Sequence, residues 1–273
     1  MRVKPAPMDR KRLVKLIHER RSFLCVGLDP VVDRIPRAFD GDVLAFNRYI
    51  IDATRELCVA YKPNTAFYEA LGLEGMAVLK ETIDYIGPDH LVIADAKRGD
   101  IGNTSGFYAR FAFETLGADA ITVAPYMGHD SVQPFLDYPG KWTILLALTS
   151  NAGGDDFQPS LQDGGQPLYA KVMRVAQRWG GPDRLMFVCG ATRADKFAEL
   201  RRLAPDSFFL VPGIGAQGGD LQAVCSHGMN ADCGLLVNSS RGILYANDPA
   251  AAARDLQRQM ATALEKYLPT VSQ

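Results

Sequence analysis

Four charged residues, Asp95, Lys97, Arg98 and Asp100, stand close together in the run Asp95-Ala96-Lys97-Arg98-Gly99-Asp100, directly after the apolar triplet VIA. If the backbone is still extended there, period-two alternation points Asp95 and Lys97 to one side. Gly99 frees the chain to turn and bring Asp100 to the same place. An ammonium between two carboxylates is favoured in its charged form, because opposite charges stabilise the protonated amine. Such a group can act as a fixed positive charge and as an acid. On an arbitrary loop the same run would be a surface ion-pair cluster worth little. Its place in the fold decides between the two.

A second constellation lies near the C-terminus. The glycine-rich segment Pro212-Gly-Ile-Gly-Ala-Gln217-Gly-Gly is followed, one apolar run later, by Ser-Ser-Arg241-Gly. Glycines expose backbone N–H groups, a helix start favours an anion, and an arginine adds a forked donor, so the pair reads as a phosphate clamp. Alone, each half would be a tight turn or a surface arginine. Thr149 and Ser150 are candidate hydroxyl donors. Ser150 is disfavoured as a nucleophile, since no G-x-S-x-G motif or histidine partner accompanies it.

These residues need elements to position them. Apolar runs suited to buried strands are SFLCVGL (22–28), VAYK (59–62, stopped by Pro63), HLVIAD (90–95), AITVAP (120–125), KWTILLALTS (141–150), LMFVCG (185–190), SFFLVPG (207–213) and CGLLVNSS (233–240). Helical patterns alternate with them. DVLAFNRYIIDATRELC places Val43, Phe46, Ile50 and Leu57 on one face. Others run to about Ile86, from Thr104 to Leu116, from Ser131 to Leu136, over QPLYAKVMRVAQRW and RADKFAELRRL, and over DLQAVCSHG with Asp220 as cap. A last helix carries Leu256, Met260 and Leu264 and ends at Pro269. About eight strand–helix units with no shift of composition predict a single (β/α)8 TIM-barrel domain over residues 1–273, with an extra N-terminal helix. An open doubly wound sheet is the alternative. In the barrel, Asp29, Lys62, Asp95, Lys97, Ser150, Pro212 and Arg241 all fall at strand C-terminal ends, where such barrels hold their active sites. The long polar loop Asn151–Gly165 reads as a lid or as a solvated insertion.

Composition narrows the function. With 47% hydrophobic and 22% charged residues, the 273-residue chain can bury a large core without staples. A net charge of -1 argues against a broad basic surface for nucleic acid. No apolar stretch reaches membrane-spanning length, and the basic N-terminus lacks the apolar core of a secretory signal. The five cysteines, Cys25, Cys58, Cys189, Cys225 and Cys233, are odd in number and contain no C-x-x-C, which suits reduced, packed thiols in a cytoplasmic protein. The four histidines are scattered and form no zinc motif, so no metal is expected.

Taken together, the motifs resemble the orotidine 5'-phosphate decarboxylase family. Asp95-Ala-Lys97-Arg-Gly-Asp100-Ile101 is similar to its D-x-K-x-x-D-[IV] signature. VGLDP, YKPNTAFYE, IADAKRGDIGNTS, LALTSNAGG, VPGIGAQGGD and VNSSRGILYA follow its landmarks in order from Cys25 to Ala246. The inter-motif lengths and the NSSRG form look like the bacterial type 2 subgroup. The resemblance implies decarboxylation of orotidine 5'-phosphate to UMP without a cofactor. It implies a catalytic array of Asp95, Lys97 and Asp100, with Lys97 as proton donor. Asp29 and Lys62 would bind ribose hydroxyls, Ser150 the pyrimidine, and Pro212, Gln217 and Arg241 the base-to-phosphate side. Asp100, Ile101 and Thr104 would reach into a partner subunit's site, making a homodimer with shared active sites. Compact members of the family carry Gly where Ser240 stands here. Two rival readings are a magnesium-dependent sugar-phosphate aldolase or decarboxylase of the same barrel superfamily, and a non-catalytic nucleotide-binding barrel.

Overall fold

The computed structural model describes residues 6–162, 164–214 and 219–268. In chain order the elements are α1 (Arg10–Arg20), β1 (Leu24–Leu28), α2 (Val43–Thr54), β2 (Ala60–Pro63), α3 (Thr65–Glu69), α4 (Gly72–Ile86), β3 (Leu91–Arg98), α5 (Gly102–Arg110), β4 (Ala120–Val123) and α6 (His129–Leu136). There follow β5 (Trp142–Leu148), α7 (Leu168–Ala176), β6 (Leu185–Cys189), α8 (Phe197–Leu203), β7 (Phe209–Pro212), α9 (Leu221–Gly228), β8 (Leu235–Ser239), α10 (Arg241–Leu244) and α11 (Pro249–Tyr267). All eight strands are parallel and pair in sequence order. β1 also pairs with β8, Cys25 facing Asn238, so the sheet closes into a barrel. The open-sheet alternative falls with that pairing.

The strands are apolar almost end to end because helices cover them outside and their own side chains fill the inside. Every residue of β1, β6 and β8 is buried. Several of the helices start where a short polar side chain caps them. Asp42, Asn64 and Asp248 each accept a backbone N–H of the first turn. Asp220 accepts two, from Gln222 at 2.8 Å and Ala223 at 3.2 Å, as its sequence position predicts. On α11, Met260 and Leu264 are buried and Leu256 packs half-buried against the core. Pro269, the expected stop, lies outside the described residues. The N-terminal helix α1 lies against the N-terminal ends of the strands, burying Leu13, Leu16 and Ile17. Just ahead of it, the Met8 carbonyl accepts the Trp142 indole N–H at 2.7 Å. All five cysteines are buried and unbridged. Among the described residues no helix is long and apolar enough to cross a membrane.

The structure moves several boundaries. α2 ends at Thr54, so Leu57 is buried beyond the helix rather than on it. The stretch before Ile86 is two helices, split at Ala70–Leu71 ahead of Gly72, whose φ is +70°. Pro63 does not stop β2 but is its last residue, paired with Leu28, a strand-end position where a missing N–H costs little. β3 runs three residues past Asp95 to Arg98, and α5 begins at Gly102 and continues as a single wide turn over Phe111–Thr115.

Candidate active site

Five adjacent strand ends supply one continuous chain of contacts. Just past β8, the Ser240 hydroxyl donates to Asp29 Oδ2 at 2.7 Å. Asp29, just past β1, also accepts the Asn64 N–H at Oδ1 (3.1 Å), and that oxygen lies 4.0 Å from Lys62 Nζ. Lys62 on β2 donates to Asp95 Oδ2 at 2.8 Å, and Lys97 donates to Asp95 Oδ1 at 2.7 Å. Thr122 of β4 completes the chain by donating to Asp95 Oδ1 at 2.9 Å. Charges of opposite sign therefore alternate along Asp29, Lys62, Asp95 and Lys97. That order keeps buried ions compensated where water cannot screen them.

Burial sorts these groups. Lys62 and Asp95 are buried at the floor of the cleft, whereas the Lys97 side chain is 49% exposed and opens onto it. Burial alone would push the Asp95 carboxyl up. The Lys62 and Lys97 ammonium groups outweigh it, through charge and through hydrogen bonds, and hold Asp95 well below the usual carboxylate range. Burial likewise acts to lower Lys62, but Asp29 and Asp95 reverse it and hold the amine above the ordinary lysine range. Both members of this buried pair are charged at neutral pH.

Lys97 reaches Asp95, as period-two alternation predicts, but by another route. Its backbone is left-handed, with φ +46°, rare for a side chain of its kind and worth about 1–3 kcal/mol of strain. Asp100 is not brought to Lys97. Its carboxylate accepts the adjacent Ile101 N–H at 2.7 Å, and its backbone is tied to the Ser105 hydroxyl in both directions. A Cβ at Gly99 would sit 3.1 Å from the Ala124 carbonyl, so the chain passes tight against the end of β4 and leaves toward α5. Among the described residues, Asp95 is the one carboxylate paired with Lys97.

The cleft has two lobes that meet at Lys62, Asp95 and Pro212. One, about 210 Å³, extends past Asp29 to Arg34, Ser240 and Arg241; the other, about 430 Å³, is walled by Lys97, Thr122, Ser150 and the long loop. Of the residues singled out from sequence, Asp29, Lys62, Asp95, Lys97, Ser150, Pro212 and Arg241 line it. Asp100, Ile101 and Thr104 do not, and Gln217 lies outside the described residues.

The first half of the long loop, residues 151–158, is laced down beside the second lobe, where Asn151, Gly153, Gly154 and Gln158 form its wall. The Gln158 amide accepts the Thr149 N–H and donates to the Thr149 hydroxyl, each at 2.8 Å. Asp155 pairs with Arg193 at 2.5 Å. Among the residues of the site that escape the sequence reading are Thr122, Gln158, Arg34 and Asn238. Thr122 did carry a signal, as a lone polar side chain inside an otherwise apolar strand, and Asn238 as the first polar residue ending the apolar run of β8. Gln158 and Arg34 carried none.

Residues 22–256 match the family described as Orotidine 5'-phosphate decarboxylase / HUMPS family. The chain belongs to that family. It is 50% identical to the orotidine 5'-phosphate decarboxylase of Bacteroides fragilis over 96% of this chain and all of the relative, and 53% identical to that of Christiangramia forsetii over 95% and 100%. Among solved structures, the OMP decarboxylase of Leishmania donovani matches with a TM-score of 0.83 and 42% identity, over 92% of this chain and 98% of that one. The UMP synthase of the same organism matches with a TM-score of 0.84 and 44% identity; this chain spans 55% of its length. The family match accords with a closed barrel whose polar residues gather at the C-terminal strand ends.

Proposed function

We propose that this protein decarboxylates orotidine 5'-phosphate to UMP and carbon dioxide, in pyrimidine biosynthesis, with no cofactor. The observation that carries the reading is Lys97: an ammonium open to the cleft and bonded to a buried carboxylate that is itself held ionised. When the C6–carboxylate bond breaks, its electron pair stays on C6 in the plane of the ring, where no π system can absorb it. The Lys97 charge, already oriented by Asp95, stabilises that carbanion as it forms. A proton then moves from Lys97 Nζ to C6, and solvent returns one to the amine. Lys62, where the two lobes meet, and Asp29 beside it in the smaller lobe suit the ribose hydroxyls. Ser150 suits the base, in the lobe beside Lys97. Arg241, at the start of α10 in the other lobe, suits the phosphate, and Gly213 and Ile214 after β7 line the same lobe. Binding of that remote group favours the transition state if it closes the loop over the base.

The same reading makes the protein a homodimer. Asp100, Ile101 and Thr104 stand off their own cleft, and Ile101 (60% exposed), Phe107, Tyr126 and Met127 put large apolar side chains in solvent on α5 and the segment after β4. A second copy over this face would cover them and bring Asp100 to the neighbouring Lys97. Buried reduced thiols suit a cytoplasmic location.

The test is the fall in ultraviolet absorbance as orotidine 5'-phosphate is consumed, with and without EDTA, by the wild type and Lys97→Ala. Full activity in chelator and near-complete loss in a folded Lys97→Ala protein are expected. Turnover abolished by EDTA would favour the metal-dependent rival, and turnover retained by Lys97→Ala would remove the proton donor.

A further inference from the structure

The pairing of β3 with β4 is regular at Ile93 with Ala120 and at Ala94 with Ile121, then shifts, resuming at Arg98 with Val123. Asp95, Ala96 and Lys97 therefore stand against the single residue Thr122. An excess of this kind leaves backbone groups without their ladder partners and bends the strand. Here the side chain of Thr122 takes the ladder's place. Its Oγ1 accepts the Lys97 backbone N–H at 2.9 Å and donates to Asp95 Oδ1 at 2.9 Å. That same Asp95 oxygen receives Lys97 Nζ. One hydroxyl thus holds Lys97 at both ends. It stabilises the left-handed backbone of Lys97 directly, and it orients the carboxylate that aims the amine. It is buried, and it lines the lobe into which Lys97 opens.

We propose that Thr122 is a positioning residue for the decarboxylation, locking the strained bulge of β3 so that Lys97 meets C6 already oriented. The inference rests on the reading of Lys97 as proton donor. A valine has the same shape but can neither accept from Lys97 nor donate to Asp95. The amine then keeps its charge and loses its fixed direction, and small misplacements of a reacting group cost large factors in rate. Substrate contacts through Asp29, Ser150 and Arg241 are untouched.

The experiment measures kcat, KM and UMP affinity for Thr122→Val, Thr122→Ser and Thr122→Cys, beside Lys97→Ala, with thermal melts of each. Thr122→Val is expected to lower kcat roughly 10- to 100-fold, with KM and UMP affinity within about twofold, while Thr122→Ser, which keeps the hydroxyl, restores most of kcat. A purely structural role would lower the melting temperature and leave kcat of the folded protein alone. Wild-type kcat in Thr122→Val with Lys97→Ala inactive would overturn the inference and leave the proton donor standing. Activity retained in Lys97→Ala would instead overturn the reading beneath it. If Thr122→Val does not fold, Ser against Cys decides: a thiol is a poor donor and acceptor, so equal kcat in the two would refute the role.

Discussion

Lys62→Met tests the alternating charge chain. Methionine keeps the length and volume of the lysine stem, so the change removes a charge without opening a cavity. The structure sets the magnitude. Lys62 Nζ is 2.8 Å from Asp95 Oδ2 and 4.0 Å from Asp29 Oδ1, and its side chain is 5% exposed. Deleting one partner of a buried pair costs about 3–5 kcal/mol, because the other charge stays buried and loses its counterion. Asp95 keeps Lys97 and Thr122, and Asp29 keeps the Asn64 N–H and the Ser240 hydroxyl, so the lower end applies, about 3 kcal/mol. At roughly 2–4 °C per kcal/mol for a domain of this size, the melting temperature should fall roughly 6–12 °C. The assay is thermal unfolding followed by circular dichroism at pH 7, run also on Asp95→Asn and the double variant. With Asp95 no longer an anion for the loss of Lys62 to strand, the double variant should lose at least about 1.5 kcal/mol less than the sum of the singles. A melting temperature within 2 °C of wild type, or strictly additive losses, would refute the claim that these charges act as one unit.

Four further outcomes are expected. A Cβ at Gly27 would lie 1.9 Å from the Ser240 hydroxyl, so Gly27→Ala should drive Ser240 off Asp29. It should cost about 1–3 kcal/mol of overpacking in a melt, and adding Ser240→Gly should recover it. Arg241→Ala should lower kcat/KM for orotidine 5'-phosphate by two orders of magnitude or so, as loss of a charged anion contact does, while the already slow turnover of phosphate-free orotidine stays unchanged in steady-state assays. Because the folded Asp95 binds its proton more weakly than the unfolded residue, its stabilisation is complete above the unfolded value of about 4 and is lost as pH falls from there toward the lower folded value. Lys62, held upward, contributes fully below about pH 10 and loses that contribution as pH rises through its folded value; melts against pH should flatten on the acid side in Asp95→Asn and on the alkaline side in Lys62→Met. Mixing inactive Lys97→Ala and Asp100→Ala proteins under subunit exchange should restore up to about a quarter of wild-type activity, since half the dimers would be mixed with one intact site each; no recovery would argue against a shared site.

Local chemistry carried the architecture. Eight apolar runs separated by helical periods require parallel strands covered by helices, and the apolar pattern along each strand is a property of neighbours in sequence. The polar residues at or just past the ends of those runs, Asp29, Lys62, Asp95, Lys97, Ser150 and Arg241, together with Pro212, were legible for the same reason: in a barrel, strand ends share one mouth. The cap at Asp220 and the buried thiols were readable too, being consequences of residue type and immediate context.

What only the folded chain decided is which of these groups touch. Ser240 and Asp29 are 211 residues apart and meet because β8 closes on β1. Thr122 became part of the site because β3 bulges opposite it, and a bulge depends on the register between two strands rather than on either one. The same bulge put Lys97 in a left-handed backbone that alternation could not foresee, and tight passage of Gly99 beside Ala124 sent Asp100 toward α5 instead of the amine. Sequence patterns record the period of each element. Hydrogen bonds between elements are fixed by distances of a few tenths of an ångström, and those exist only once the barrel has closed.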